Sequence, residues 1–295
     1  MDKRLDNKVI VITGASSGFG KGAARRMSEL GASLVLAARR EYLLDDLVYE
    51  CERLGGHATA VPADVSLVGD VQNIYDAAIA KFGRIDVWIN NAGGAAIGNF
   101  TDVPLEDHIK VIETDLNGTM YGSYFALQAF ESQGFGTLIN VASMIGRIAA
   151  PYYASYSAAK HGVIGLTASL RQEMSERKLD NIHVCSVLPM AMETPFFEHA
   201  ANYTGREAVA IPPVSNPLEV VETFIDLIFH PKAEVAVGKG GVLFSISDAM
   251  APGLTEAMMA KNTHNAQIKN APPAEPSPGN LINPTPDGSD VQGRV

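Results

Sequence analysis

Only two cysteines, Cys51 and Cys185, occur in the 295 residues, each inside an apolar periodic run. Two thiols cannot staple a chain of this length, which excludes a disulfide framework and predicts two buried, inert thiols. Cysteine and histidine do not cluster at ligand spacing, so no zinc site is expected. Positive charge is in deficit: 23 lysines and arginines against 33 aspartates and glutamates leave a formal charge of −10. That balance excludes the basic patch of a general nucleic-acid binder. No apolar run approaches the roughly 18 residues of a membrane span. Residues 1–8 lead only into the short apolar run at residues 9–12, too brief for a signal-peptide core. The default expectation is therefore a soluble, cytoplasmic protein.

What is present is a globular composition, 46% hydrophobic and 19% charged. Short β-branched or apolar runs at residues 9–12, 34–38, 58–62, 85–89, 137–141, 182–188 and 234–237 read as buried strands. Between them, helical spacing covers residues 19–30, 44–54, 68–82, 108–133, 155–177 and 218–229. Regular alternation of this kind predicts an α/β fold: a doubly wound, Rossmann-type parallel sheet of about seven strands with helices on both faces. Residues 1–262 form one domain in this reading. Beyond Phe244 there is no aromatic residue, and Pro272, Pro273, Pro276, Pro278, Pro284 and Pro286 crowd the end. Residues 263–295 are therefore expected as an arm, either flexible or packed on a neighbouring subunit.

Chemistry enters at the first turn. Gly14, Ser16, Ser17, Gly18, Phe19 and Gly20 lie between the first strand and the first helix, where glycine allows a tight turn and close backbone approach. Free amides and the helix dipole favour a pyrophosphate there. A carboxylate for a ribose 2′-hydroxyl would stand at the end of the second strand. Arg39 and Arg40 stand there instead, and guanidinium groups suit a 2′-phosphate. NADP(H) is accordingly favoured over NAD(H); the bland alternative is that both arginines simply solvate a helix start. Ser16 can add a hydroxyl contact to that phosphate, and Asp64, after the third strand, is placed to contact adenine.

Further along, Tyr156 and Lys160 are separated by one helical turn and share a face. A neighbouring ammonium stabilises a phenolate, which lets a tyrosine act as general acid or base. Ser143 lies at the end of the fifth strand, at the edge where a parallel sheet presents functional groups.

With these residues in order, the chain resembles the short-chain dehydrogenase/reductase family over roughly residues 5–250. The matching elements are Thr13-Gly14-x-x-x-Gly18-x-Gly20, Asp64-Val65, Asn90-Asn91-Ala92-Gly93, Asn117, Ser143, Tyr156-x-x-x-Lys160, and Pro189 with Thr194. The resemblance implies hydride transfer between NADP(H) and a carbonyl or secondary alcohol, in a homotetramer or homodimer. It implies that Tyr156 donates or accepts the proton, that Lys160 lowers its pKa and binds the nicotinamide ribose, and that Ser143 orients the substrate oxygen. It assigns Asn117 to a water-borne proton relay. Asn91, Ala92 and Gly93 flank the adenosine half of the cofactor, Thr194 meets the carboxamide, and Pro189 closes the nicotinamide end. One departure is Met190, where the family usually has glycine. Apolar residues around Ala95–Ile97, Met144–Gly146, Tyr152 and Tyr153, and residues 190–211 are expected to line a hydrophobic substrate pocket, or to pack a lid. The competing readings are an NAD-dependent alcohol dehydrogenase and a non-catalytic dinucleotide-binding regulator. Replacing Arg39 with Asp is expected to weaken NADPH binding and favour NADH, read by paired titrations; an unchanged preference would contradict the arginine assignment.

Overall fold

The computed structural model describes residues 4–241, 247 and 250–293; residues 1–3 and, of the arm, Arg294 and Val295 lie outside them. Seven strands form one parallel sheet: β1 (Val9–Thr13), β2 (Ser33–Ala38), β3 (His57–Pro62), β4 (Val87–Asn90), β6 (Gly136–Val141), β7 (Ile182–Pro189) and β9 (Glu234–Val237). Their spatial order is β3-β2-β1-β4-β6-β7-β9, so the winding reverses between β1 and β4. Ligand crevices in doubly wound sheets open at this reversal, outside the carboxyl ends of the strands.

Side-chain alternation along β1 explains the two layers. Ile10 and Ile12 face one core with Ala24 and Met27 of α1 (Gly18–Glu29), Leu44 and Leu47 of α2 (Glu41–Arg53), and Phe224 of α8 (Leu218–Phe229). Val11 faces the opposite core with Ile74 of α3 (Val68–Phe82) and Phe130 of α5 (Gly118–Gln133). A strand buried on both faces needs apolar residues at every position, which is why β1 reads Val-Ile-Val-Ile. Cys51 and Cys185 are both free and buried, and burial pushes the Cys185 thiol up to about 11.

Three features depart from the sequence reading. The long helix expected at residues 108–133 begins earlier, as α4 (Leu105–Ile112), and runs through a π-helical turn, Glu113–Asn117, before α5. A small parallel pair joins β5 (Ala96–Ile97) to β8 (Ala201–Asn202); two residues per strand carry too little pattern to announce themselves. Beyond β9, a helix α9 (Pro252–His264) opens on a proline at its first turn, and a second π-helical turn, Asn265–Lys269, follows it.

The arm also departs from expectation. Its described part lies along its own subunit. The Ser277 and Asn202 main chains exchange hydrogen bonds of 2.7 and 2.9 Å, and Leu281 and Val291 are buried. The remaining two elements, α6 (Ala154–Glu176) and a one-turn α7 (Phe196–His199), flank the crevice.

Behind the crevice a buried polar chain joins β4 to β6 and α6. Trp88 Nε1 donates to Asn90 Oδ1 (2.8 Å), Asn90 Nδ2 to Asn140 Oδ1 (2.9 Å), and Asn140 Nδ2 to Thr167 Oγ1 (3.0 Å). Gly122 makes room for it: a methyl there would collide with Asn90 Oδ1 and lie 2.9 Å from Trp88 Nε1. Breaking such a network strands buried polar groups. Gly122→Ala is expected to destabilise the protein by about 2–4 kcal/mol, measured by urea unfolding; an unchanged midpoint would contradict this packing.

Candidate active site

The carboxyl ends of β1, β4, β6 and β7 open into a cleft of about 660 Å³. At one end, the glycine turn has Gly14 and Gly18 in the left-handed region (φ 66° and 54°). Gly14 is pressed against the next loop, where an added Cβ would lie 2.8 Å from Ala92 Cα. Thr13 Oγ1 ties the two loops together by accepting from the amides of Asn91 (3.0 Å) and Ala92 (3.1 Å). Gly20 does not line the cleft; a Cβ there would strike the Gly14 carbonyl from beneath, so its part is close helix packing. The other turn residues, Gly14, Ser16, Ser17, Gly18 and Phe19, do line it, as do Val65, Asn91, Ala92 and Gly93.

Arg39, Arg40 and Asp64 line the cleft at the ends of β2 and β3, where the sequence reading expects adenosine. Arg40 Nη2 donates to Ser16 Oγ at 3.1 Å. Asp64 accepts from Lys110 Nζ (2.9 Å) and from Ser66. Burial pushes its carboxyl up, but Lys110 and Ser66 outweigh that and hold it below the usual carboxylate range.

At the other end, Ser143 leaves β6 in an extended conformation and caps a 3₁₀ turn, Met144–Gly146, with its Oγ accepting from the Ile145 amide at 3.2 Å. Its hydroxyl faces that of Tyr156. One turn along α6, Lys160 Nζ stands 5.5 Å from the Tyr156 ring centre and donates to the Val141 carbonyl at 3.1 Å. The helical spacing therefore delivers tyrosine and lysine to one wall, opposite Pro189 and Thr194.

Asn117, like Gly20, is a sequence-derived residue that the cleft does not include. It lies away from the cleft, in a separate shallow pocket with Phe100 and His108. The residue that the π-helical turn aims inward is Asp115, whose Oδ2 pairs with Lys160 Nζ at 3.1 Å while Oδ1 accepts from the Gly94 amide at 2.8 Å. Asp115 is fully buried and Lys160 is 4% exposed. A signal for it existed. Val111, Asp115, Gly118 and Gly122 fall on one buried helical stripe, and an acid on such a stripe needs a partner.

The electrostatics also correct the tyrosine expectation. Burial pushes the Tyr156 hydroxyl up, Lys160 pulls it back, and Asp115 raises it again; the balance in the cofactor-free cleft is upward. Lys160 is pushed down by burial, yet the charges of Asp115 and Tyr156 reverse this and hold it protonated. Ser143, Tyr156, Lys160 and Asp115 thus form an acid–base group with a fixed ammonium at its centre.

Past Tyr156 the wall is apolar. The Phe196 ring lies 5.4 Å from the Tyr156 ring, and Met144, Ile145, Phe197 and Met259 continue the lining. Tyr153, buried, belongs to the same lining and accepts from Gln267 Nε2 at 2.7 Å. Met190 lines the cleft too. Its side chain fits because Gly238 and Gly241 give way: Cβ atoms there would stand 3.0 and 3.3 Å from it.

Comparison with known proteins agrees with this architecture. Residues 8–203 match the family model for short chain dehydrogenase. An uncharacterized oxidoreductase, YxnA, of Bacillus subtilis is 36% identical over 92% of this chain and 76% of its own length. A 3beta-hydroxysteroid dehydrogenase 1 of Eggerthella lenta is 36% identical over 70% of this chain and 78% of its own. A crystal structure of a short-chain type dehydrogenase/reductase from Mycobacterium marinum superposes with a TM-score of 0.71 at 27% identity, covering 81% of this chain and 96% of that one.

Asp115 opposes ionisation of Tyr156, so removing its charge has a definite sign. Asp115→Asn is expected to lower the Tyr156 titration by about one pH unit, followed by NMR of ring-labelled tyrosine with Tyr156→Phe to assign the signal. An unmoved or raised titration would contradict the pairing.

Proposed function

The chain belongs to the short-chain dehydrogenase/reductase family of oxidoreductases, and from that membership we propose that it transfers a hydride between NADP(H) and a hydrophobic carbonyl or secondary alcohol. The observation that carries this reading is the meeting of Ser143, Tyr156 and Lys160 in one cleft whose far end holds two guanidinium groups. The residues fit a dinucleotide. The glycine turn leaves room at the start of α1, no carboxylate ends β2, and the cleft continues from there to Tyr156. Bound in it, the nicotinamide supplies or accepts the hydride.

The chain's own groups handle the proton and the field. Tyr156 Oη gives its proton to the substrate oxygen in reduction and takes one back in oxidation. Ser143 Oγ donates to the same oxygen and stabilises negative charge as it develops there. Lys160 stays protonated against Asp115, presents a fixed positive charge to Tyr156, and has a donor for a ribose hydroxyl. Asp115, in place of Asn117, is the polar group beside Lys160 from which a proton path could lead outward. The apolar wall of Phe196, Phe197, Ile145 and Met259 excludes water and favours a bulky apolar substrate, in keeping with the relative named for a hydroxysteroid.

A raised tyrosine has a direction in pH. The protonated acid needed for reduction is present below its pKa and lost above it, whereas oxidation needs the ionised form and gains as pH rises.

Among the described residues no helix is long and apolar enough to cross a membrane; a cytoplasmic setting belongs to the proposal. So does a homotetramer or homodimer, supported by the exposed Leu105 and Ile109 of α4 and Tyr124 of α5. Residues 1–262 make the catalytic domain in this reading. The NAD-dependent alternative has one observation in its favour: main-chain carbonyls already surround Arg39.

Tyr156→Phe is expected to lower kcat for NADPH-dependent ketone reduction by about 10²–10⁴-fold while NADPH still binds, followed by NADPH absorbance and fluorescence titration. Undiminished turnover would remove Tyr156 from the reaction, and tight NADPH binding without turnover on a broad ketone panel would favour the regulatory reading.

A further inference from the structure

The arm meets the cleft through its main chain. Arg39 donates to the carbonyls of Asn280 (2.5 Å), Leu281 (2.9 Å) and Ile282 (3.1 Å). Arg40 Nη1 donates to those of Asp287 (2.9 Å) and Thr285 (3.3 Å). Lys21 Nζ donates to the Ser289 carbonyl at 2.7 Å, and the Gly18 amide, at the start of α1, to the Asp290 carbonyl at 2.9 Å. Two guanidinium groups, an ammonium and a helix-start amide thus all face neutral carbonyl oxygens of one short segment. These are the donor types that phosphate oxygens take.

The segment is not loosely laid there. Asn280 N donates to the His199 carbonyl at 2.9 Å, and the His199 ring bonds the Asp287 carbonyl at 3.1 Å. Gly279 sits in the left-handed region (φ 54°), and a Cβ there would collide with the carbonyl oxygens of His199 and Ala200. Leu281 is 4% exposed.

We propose that residues 280–290 are a cofactor-selecting strap, whose carbonyls hold the guanidinium donors that a 2′-phosphate takes and which yields Arg39 when a 2′-phosphorylated dinucleotide binds. A phosphate dianion makes charge-assisted bonds to guanidinium that are stronger than those of a neutral carbonyl, so it wins the exchange. The free energy that docks the strap is subtracted from that gain, so the strap lowers affinity for NADP(H). A dinucleotide without the 2′-phosphate competes only for the Gly18 amide held by Asp290; it has no claim on Arg39 and leaves residues 280–287 in place. The strap therefore narrows the preference that the arginines create. This inference rests on the cofactor reading above.

Two measurements on the full chain test it. The first is amide hydrogen exchange of residues 280–290 in the wild-type protein. Saturating NADP⁺ is expected to speed exchange at residues 280–287, and NAD⁺ to leave those residues unchanged. Protection of these amides by bound NADP⁺, or no change while it is bound, would overturn the proposal. The second is titration of Gly279→Val, which lifts the strap at its root without touching either arginine. It is expected to bind NADPH roughly tenfold more tightly with NADH affinity unchanged; equal or weaker NADPH binding would overturn the proposal. Failure of wild-type protein to bind NADP⁺ at all would fall first on the cofactor reading, and would take the strap with it.

Discussion

A lysine ammonium buried to 4% exposure is the constraint around which the catalytic end is built. An isolated charge in such a place is costly, and it survives only when paired and hydrogen-bonded. Asp115 and the Val141 carbonyl meet that need. Local geometry then follows from it. The π-helical turn brings Asp115 inward. Gly93 lets its loop approach, since a Cβ there would stand 3.0 Å from Asp115 Oδ2. Gly146 lets the 3₁₀ turn carrying Ser143 close on α6, where a Cβ would lie 2.7 Å from the Lys160 carbonyl oxygen. Ser143, Tyr156 and Lys160 are consequently aligned by packing around one charge.

The adenosine end obeys the opposite rule. Its positive groups, the buried Arg40 and the half-buried Arg39 and Lys21, have no carboxylate at the end of β2 to answer them. They are satisfied by neutral main-chain oxygens from a distant segment. Strong pairing fixes the catalytic end, while exchangeable pairing leaves the adenosine end open to a more highly charged ligand. In the proposed reading one dinucleotide spans the two ends.

Much of this was readable in the residues themselves. β1 announced itself because Val9 to Ile12 are all apolar and β-branched, and Gly14 because a glycine between a strand and a helix marks a tight turn. Tyr156 and Lys160 share a wall because four residues nearly complete a helical turn. The phase of the long helix showed only in the stripe of Val111, Asp115, Gly118 and Gly122. A single π-helical turn changes which residue faces inward, and it exchanged Asn117 for Asp115. The direction of the Tyr156 shift was hidden for a related reason: spacing shows a neighbouring ammonium but not the burial that outweighs it. The arm eluded composition altogether. Proline-rich, aromatic-free chain reads as unpacked, yet this segment docks through backbone carbonyls, which every residue type carries alike.

The central claim is that the protein moves a hydride between a nicotinamide and a carbonyl carbon beside Tyr156. It is tested most directly by incubating the protein with NADPH deuterated at the transferable ring position and a panel of hydrophobic ketones, and locating the label in the products by NMR and mass spectrometry. The account predicts deuterium on the carbinol carbon of a reduced product, with one face of the carbonyl preferred. NADPH bound in the cleft with no label reaching any product carbon would contradict it.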